Sequence, residues 1–181
     1  MSHLPNLLTL LRIGATPVLI LFLDARQYEA AFWIFLLAGI TDGLDGYIAK
    51  RFNCQSRLGA ILDPAADKIL LLSAFVMLTI LGDLPFWLML LAGFRDLLIV
   101  GGYLVLVSMN DEVAMRPSRV SKLNTVMQIT LVICILVHNA GWLDLTVLRE
   151  VLIPAVLATT VVSGAHYLWV WGIRREAGDG G

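Results

Sequence analysis

Long apolar runs alternate with short polar ones along the whole chain. The runs cover residues 5–23, 29–50, 58–81, 85–108, 120–139 and 148–172. Each is near the roughly 20 residues an α-helix needs to cross bilayer hydrocarbon. The interruptions, DARQYE, RFNCQS, GDLP, NDEVAMRPS and NAGWLDLT, are polar or rich in turn formers and only a few residues long. The pattern predicts an all-α, polytopic membrane protein with six transmembrane helices, neighbours antiparallel, in a single domain over 1–181. Pro17, Pro64 and Pro154 fall inside runs and are expected to kink them. Trp33, Trp87, Trp142, Trp169 and Trp171 fall near run ends, where indole favours the membrane–water interface.

Composition agrees with a lipid solvent. Of the 181 residues, 59% are hydrophobic and only 15% charged, and the mean hydropathy is +0.82, far from the balance of a soluble domain. A net charge of −1 with scattered basic residues excludes a nucleic-acid-binding stripe. Two cysteines, Cys54 and Cys134, without a C-x-x-C motif give no sign of a disulfide framework or zinc site. The opening MSHLPNLLTLLRIGATPVLILFL lacks a basic leader and a convincing cleavage site, so it reads as a retained first helix.

Basic residues near run ends orient the chain. Lys50, Arg51, Arg57, Arg116, Arg119, Lys122, Arg174 and Arg175 fall on one side, against Arg26 and Arg149 on the other. The positive-inside rule puts both termini in the cytoplasm. A bacterial inner membrane fits this arrangement, as does a processed organellar protein.

Within so apolar a chain, Asp42, Asp45, Asp63 and Asp67 are costly unless hydrated, paired or metal-bound. Asp42, Asp45 and Ala49 share one stripe of helix two, and Gly59, Asp63 and Asp67 share one of helix three. Counting from the connecting loop, Asp42 and Asp67 lie about 12 Å deep at 1.5 Å per residue. The two stripes are expected to face each other at the cytoplasmic end. Gly43, Gly46 and Gly59 leave room for close helix approach or for a bulky ligand, and Pro64 frees the carbonyl of Ala60. Four converging carboxylates repel unless cations neutralise them. An all-oxygen set without nearby histidine or cysteine suits Mg²⁺ or Mn²⁺, and two such ions are a recurring device for displacement at phosphorus.

The run D42-G-L-D45-G46-Y-I-A49-K50, eight further residues, then G59-A-I-L-D63-P-A-A-D67 resembles the signature of the CDP-alcohol phosphotransferase family, D-x-x-D-G-x-x-A-R followed after eight or nine residues by G-x-x-x-D-x-x-x-D. Seven of the eight fixed positions agree within 26 residues. Lys50 departs from the usual Arg, keeping the charge but losing the bidentate fork; Arg51 is its neighbour. The opening P5-N6-L-L-T9-L-L-R12 is also similar to the family's first helix. The resemblance implies six helices and a homodimer. It also implies a two-metal site on Asp42, Asp45, Asp63 and Asp67 that binds the pyrophosphate of CDP-diacylglycerol, with Asp67 as general base. Gly46, Ala49, Lys50 and Gly59, with Asn6 and Thr9, would line the cytidine and phosphate pocket. An alcohol would attack the phosphorus carrying diacylglycerol, and CMP would leave.

For the acceptor, R95-D96 and S121-K122-L-N124-T125 look like cardiolipin synthases of the CDP-alcohol type. Phosphatidylglycerophosphate synthases usually carry G-K-x-K-T at the second position. Asn124 in place of that second lysine removes a cation suited to glycerol 3-phosphate, so the reading leans to phosphatidylglycerol as acceptor and cardiolipin as product, with glycerol 3-phosphate the alternative. Arg95, Arg119 and Lys122 are the candidates for the acceptor's phosphate. Adjacent in sequence, Arg95 and Asp96 point about 100° apart on a helix, so each is expected to need its own partner.

Plainer readings compete at several positions. Arg116 and Arg119 can be positive-inside loop charges, Lys68 a snorkelling or paired side chain, and His138 and His166 hydrogen-bonded or interfacial residues. The tail RREAGDGG is expected to be a solvated end whose arginines stop helix six. A small cation or proton transporter is the other function class for intramembrane carboxylates. It sits less well with the apolar outer halves of helices two and three, EAAFWIFLLAGI and ILLLSAFVMLTIL.

Overall fold

The computed structural model describes residues 4–52, 57–108 and 119–178, with side chains over 14–41, 68–101 and 120–167 and at Trp169. The described residues form six α-helices and no strand: α1 (Leu4–Asp24), α2 (Tyr28–Phe52), α3 (Arg57–Ile80), α4 (Phe86–Ser108), α5 (Arg119–Asn139) and α6 (Thr146–Gly178). Five helices end within two residues of the apolar runs that predict them. The sixth overruns: Arg174 and Arg175 do not stop α6, which continues to Gly178. Arg and Glu are good helix formers, and cations favour the negative end of the helix dipole, so a hydrated tail prolongs the helix instead of ending it. Helical structure also runs unbroken through Pro17 and Pro154.

The chain packs as two compact units, residues 1–85 with 132–145, and residues 86–131 with 146–181. In the first, α1 packs along both α2 and α3, which touch each other far less among the described residues. Leu19 and Leu23 of α1, Ala31, Phe35 and Ala38 of α2, and Leu71, Ala74, Phe75 and Leu78 of α3 are buried. Their three- and four-residue spacing makes one stripe per helix. The alanines among them let helix backbones approach closely.

Three links of this unit solve the same problem in the same way. After α1, the N–H of Gln27 bonds Phe22 O at 2.8 Å and that of Arg26 bonds Leu23 O at 2.8 Å. After α3, Asp83 bonds Leu78 O and Gly82 bonds Thr79 O, and after α5, Trp142 bonds Val137 O and Gly141 bonds His138 O. These are Schellman caps, which satisfy the last carbonyls of a helix through one left-handed residue. That residue is Arg26 (φ 54°), Gly82 (φ 84°) and Gly141 (φ 76°), so one of the three uses a side-chain-bearing residue where glycine is favoured. The links gather at one end. The Tyr28 hydroxyl donates to Asp83 Oδ2 at 2.8 Å, and Trp142 packs edge-on against Phe32 with ring centroids 5.0 Å apart, beside Trp33. Loops one, three and five therefore share a face of this unit.

In the second unit α4 packs on α6. Leu88, Ala92 and Arg95 form the buried stripe of α4, and Leu152, Val156, Thr160 and Ser163 that of α6. On α5 the buried residues of this unit are Ser121, Asn124, Gln128 and Leu131. Each stripe passes from apolar to polar along its length. Outward, α4 exposes Phe86, Leu90, Phe94 and Leu97, a continuous apolar ridge of the kind that lipid tolerates and water does not. Among the described residues, Val120–Asn139 and Thr146–Tyr167 are long and apolar enough to cross a membrane. Gly14–Asp24, Tyr28–Thr41 and Lys68–Ile80 are shorter apolar stretches.

Candidate functional site

The aspartates of the motif sit on two continuous helices. Asp42 and Asp45 are on α2, and Asp63 and Asp67 on α3, so the three- and four-residue separations in sequence become single helical turns. Their side chains lie outside the described residues, as do those of Gly46, Ala49, Lys50, Gly59, Asn6, Thr9 and Arg119. The expected facing of the two acidic stripes lies outside them too. Four hard oxygen donors at one-turn intervals on two helices are a donor set that fits Mg²⁺ or Mn²⁺. Among the described residues, which do not include the side chains of these aspartates, no group of three or more His, Cys, Asp or Glu is gathered for a metal.

Arg95 is fully described, and its surroundings are informative. It is only 3% exposed. Its Nε donates to Ser163 Oγ at 3.1 Å. Its Nη2 donates to Ser163 Oγ at 2.7 Å and to Ser121 Oγ at 2.5 Å. Its Nη1 donates to Asp96 Oδ1 at 2.6 Å. The guanidinium thus ties α4 to α5 and α6. The expectation that Arg95 and Asp96 need separate partners is corrected here. Their Cα–Cβ bonds diverge, but the long arginine arm swings back across the helix surface, and burial rewards the charge-assisted contact.

Lys122 follows Ser121 on α5 and is exposed, so the helix sends one residue inward to Arg95 and the next outward. Asn124 is 0% exposed, and its Oδ1 accepts from the hydroxyls of Thr159 and Thr160, both at 2.9 Å. The residue that distinguishes S-K-L-N-T from G-K-x-K-T is here a contact between α5 and α6. A lysine at 124 would bring its ammonium among those threonines. Among the described residues, Asn124 Nδ2 and both side-chain amide atoms of Gln128 are buried without hydrogen-bond partners, a cost in a well-packed interior.

Ser163, Thr159 and Thr160 were not singled out by motif reasoning. The signal was present, since Thr159, Thr160 and Ser163 share the apolar run of α6 at spacings of one and three. Such hydroxyls in a spanning helix are commonly satisfied by their own backbone, and Thr159 also bonds the carbonyls of Ala155 and Val156. From sequence alone they look self-sufficient.

Six helices, two of them carrying the aspartates at one-turn spacing, fit the phosphotransferase signature that the sequence resembles, and comparison with known proteins gives the family. The chain belongs to the CDP-alcohol phosphatidyltransferase family, whose model matches residues 2–162. It is similar to the cardiolipin synthase (CMP-forming) / mitochondrial hydrolase fusion protein of Schizosaccharomyces pombe, 35% identical over 91% of this chain and 30% of that protein. It is 34% identical to human cardiolipin synthase (CMP-forming), over 71% of this chain and 48% of the relative. It is also 34% identical to the probable phosphatidylglycerophosphate synthase of Mycobacterium tuberculosis, over 97% of this chain and 87% of the relative. The chain thus spans less than half the length of the two cardiolipin synthases. Membership makes it an enzyme of phospholipid synthesis, and the transporter reading falls away.

Proposed function

We propose that the chain transfers the phosphatidyl group of CDP-diacylglycerol to phosphatidylglycerol, giving cardiolipin and CMP. The observation that carries the reaction class is the four-aspartate motif, carried at helical spacing by the unbroken α2 and α3. The run S-K-L-N-T at the start of α5 and the similarity to two cardiolipin synthases support phosphatidylglycerol as acceptor. The missing second lysine at position 124 supports the same acceptor, while Asn124 itself bonds Thr159 and Thr160 of α6.

Asp42, Asp45, Asp63 and Asp67 would hold two Mg²⁺ or Mn²⁺ ions, which when bound neutralise charge on the pyrophosphate and on the carboxylates themselves. Asp67 takes the proton from the acceptor hydroxyl as its oxygen attacks the phosphorus bearing diacylglycerol, and the bond to the oxygen of CMP breaks. Gly46, Ala49, Lys50 and Gly59, with Asn6 and Thr9, receive the cytidine and phosphates. Arg95, Arg119 and Lys122 serve the acceptor's phosphate. The six helices span a bacterial inner membrane with both termini and the aspartates on the cytoplasmic side, and the enzyme works as a homodimer. The apolar ridge of α4 supports a face turned to lipid or to a second copy.

Glycerol 3-phosphate is the second reading, favoured by the near full-length match to the mycobacterial relative. Mass spectrometry decides between them. Purified protein is given CDP-diacylglycerol, Mg²⁺ or Mn²⁺, and equal amounts of phosphatidylglycerol and glycerol 3-phosphate. Cardiolipin is the expected product. Phosphatidylglycerophosphate overturns the acceptor and keeps the mechanism, and no CMP release with either overturns both.

A further inference from the structure

Three donor hydrogens of the Arg95 guanidinium, one on Nε and two on Nη2, are taken by two residues, Ser163 through its hydroxyl and Ser121 through its hydroxyl and, at 3.5 Å, its carbonyl oxygen. Ser163 Oγ sits across the Nε–Nη2 edge, the edge that a phosphate would otherwise grip with two oxygens. Asp96 takes one Nη1 hydrogen, which leaves the second without a partner among the described residues. The partners differ in kind. A carboxylate offsets the positive charge, whereas a hydroxyl holds the fork by hydrogen bonding and leaves the charge undiminished for an anion. Two neutral anchors and one acidic one fix the plane of the group, and the two hydroxyls add nothing to the charge that Asp96 offsets. Held by Ser163 and Ser121, the side chain loses little further rotamer freedom on meeting a ligand.

We infer that Ser163, with Ser121, is a positioning residue for acceptor recognition, locking the Arg95 guanidinium so that its free Nη1 N–H meets the acceptor's phosphate. The inference rests on the assignment of Arg95 to that phosphate. Neither serine touches the acceptor; each acts through Arg95. Ser163 is 0% exposed and lies on the same buried stripe of α6 as Thr160, whose hydroxyl bonds Asn124 instead. Thr160 is therefore a natural control. Both are buried α6 hydroxyls making side-chain contacts, but only one holds the arginine.

The test compares Ser163→Ala, Ser121→Ala, Thr160→Val and Arg95→Gln as purified enzymes in vesicles. The acceptor is phosphatidylglycerol or glycerol 3-phosphate, whichever the parent enzyme turns over. KM for the acceptor, KM for CDP-diacylglycerol, kcat and Tm are measured for each. Ser163→Ala should raise the acceptor KM roughly 3- to 10-fold, the scale of a typical hydrogen bond's net contribution, since the serine acts on the acceptor only through Arg95, with KM for CDP-diacylglycerol unchanged. Ser121→Ala should do the same to a smaller degree, and it keeps the idea testable if Ser163→Ala does not fold. Thr160→Val should lower Tm and leave the acceptor KM where it was. If Arg95→Gln raises the acceptor KM but the serine variants do not, or if Thr160→Val raises it as much as they do, the positioning role is wrong and Arg95 keeps its assignment. If Arg95→Gln leaves the acceptor KM untouched, the assignment itself fails and takes the inference with it.

Discussion

Buried polar side chains in this chain divide by what they hold. Arg95 is anchored by hydroxyls and a neighbouring carboxylate, and Asn124 by two threonine hydroxyls. The aspartates differ, because like charges at one-turn spacing gain nothing from each other and need cations. Asp67 carries the sharpest expectation at this scale. Asp67→Asn should abolish CMP release while CDP-lipid binding persists, since an amide keeps an oxygen donor but takes no proton. Asp42→Ala should weaken metal-dependent binding as well. Titrating a fluorescent CDP-diacylglycerol analogue with and without Mg²⁺ beside a CMP-release assay separates the two variants, and normal turnover by Asp67→Asn removes the base from the mechanism.

The helix ends carry the next expectation. Arg26 occupies the left-handed cap position that Gly82 and Gly141 fill elsewhere, and a β-carbon there costs on the order of 1 kcal/mol. Arg26→Gly should therefore raise Tm by roughly 2–4 °C. Gly82→Ala and Gly141→Ala should each lower it by a similar amount, through the backbone alone, because an added β-carbon meets no atom within 4 Å at either position. Thermal unfolding in detergent checks all three. The helices themselves were readable in the sequence because solvent imposes them. Apolar run length and polar punctuation locate six helices; Trp33 and Trp87 lie near the starts of α2 and α4, whereas Trp169 and Trp171 fall well inside the longer α6. The Arg95 node was not readable: its partners come from three helices, and no local pattern records which residues 26 or 68 positions away will meet a guanidinium. The aspartates could be picked out because their spacing is local, within nine residues on each helix. The end of α6 was misjudged because charge was taken as a stop signal, when at a helix C-terminus arginine is welcome.

For the molecule as a whole, topology is the open expectation. Loops one, three and five share one face, and the basic residues assign the opposite face to the cytoplasm. Leu143, well exposed in the link before α6, offers a site for labelling: Leu143→Cys should react with a membrane-impermeant thiol reagent in intact cells, and Cys54 only after permeabilisation. The reverse order would invert the orientation. The pairing of Arg95 with its own neighbour Asp96 bears on how such a protein is made. Ribosomes deliver α4 before α5 and α6 exist, so the serines that later hold the guanidinium are not yet available. A lone cation would then enter hydrocarbon unaccompanied. On the proposed six-span topology, with its counter-charge supplied by the next residue, α4 would leave the translocation channel as an electrically neutral segment and wait in the bilayer for the helices that complete its network.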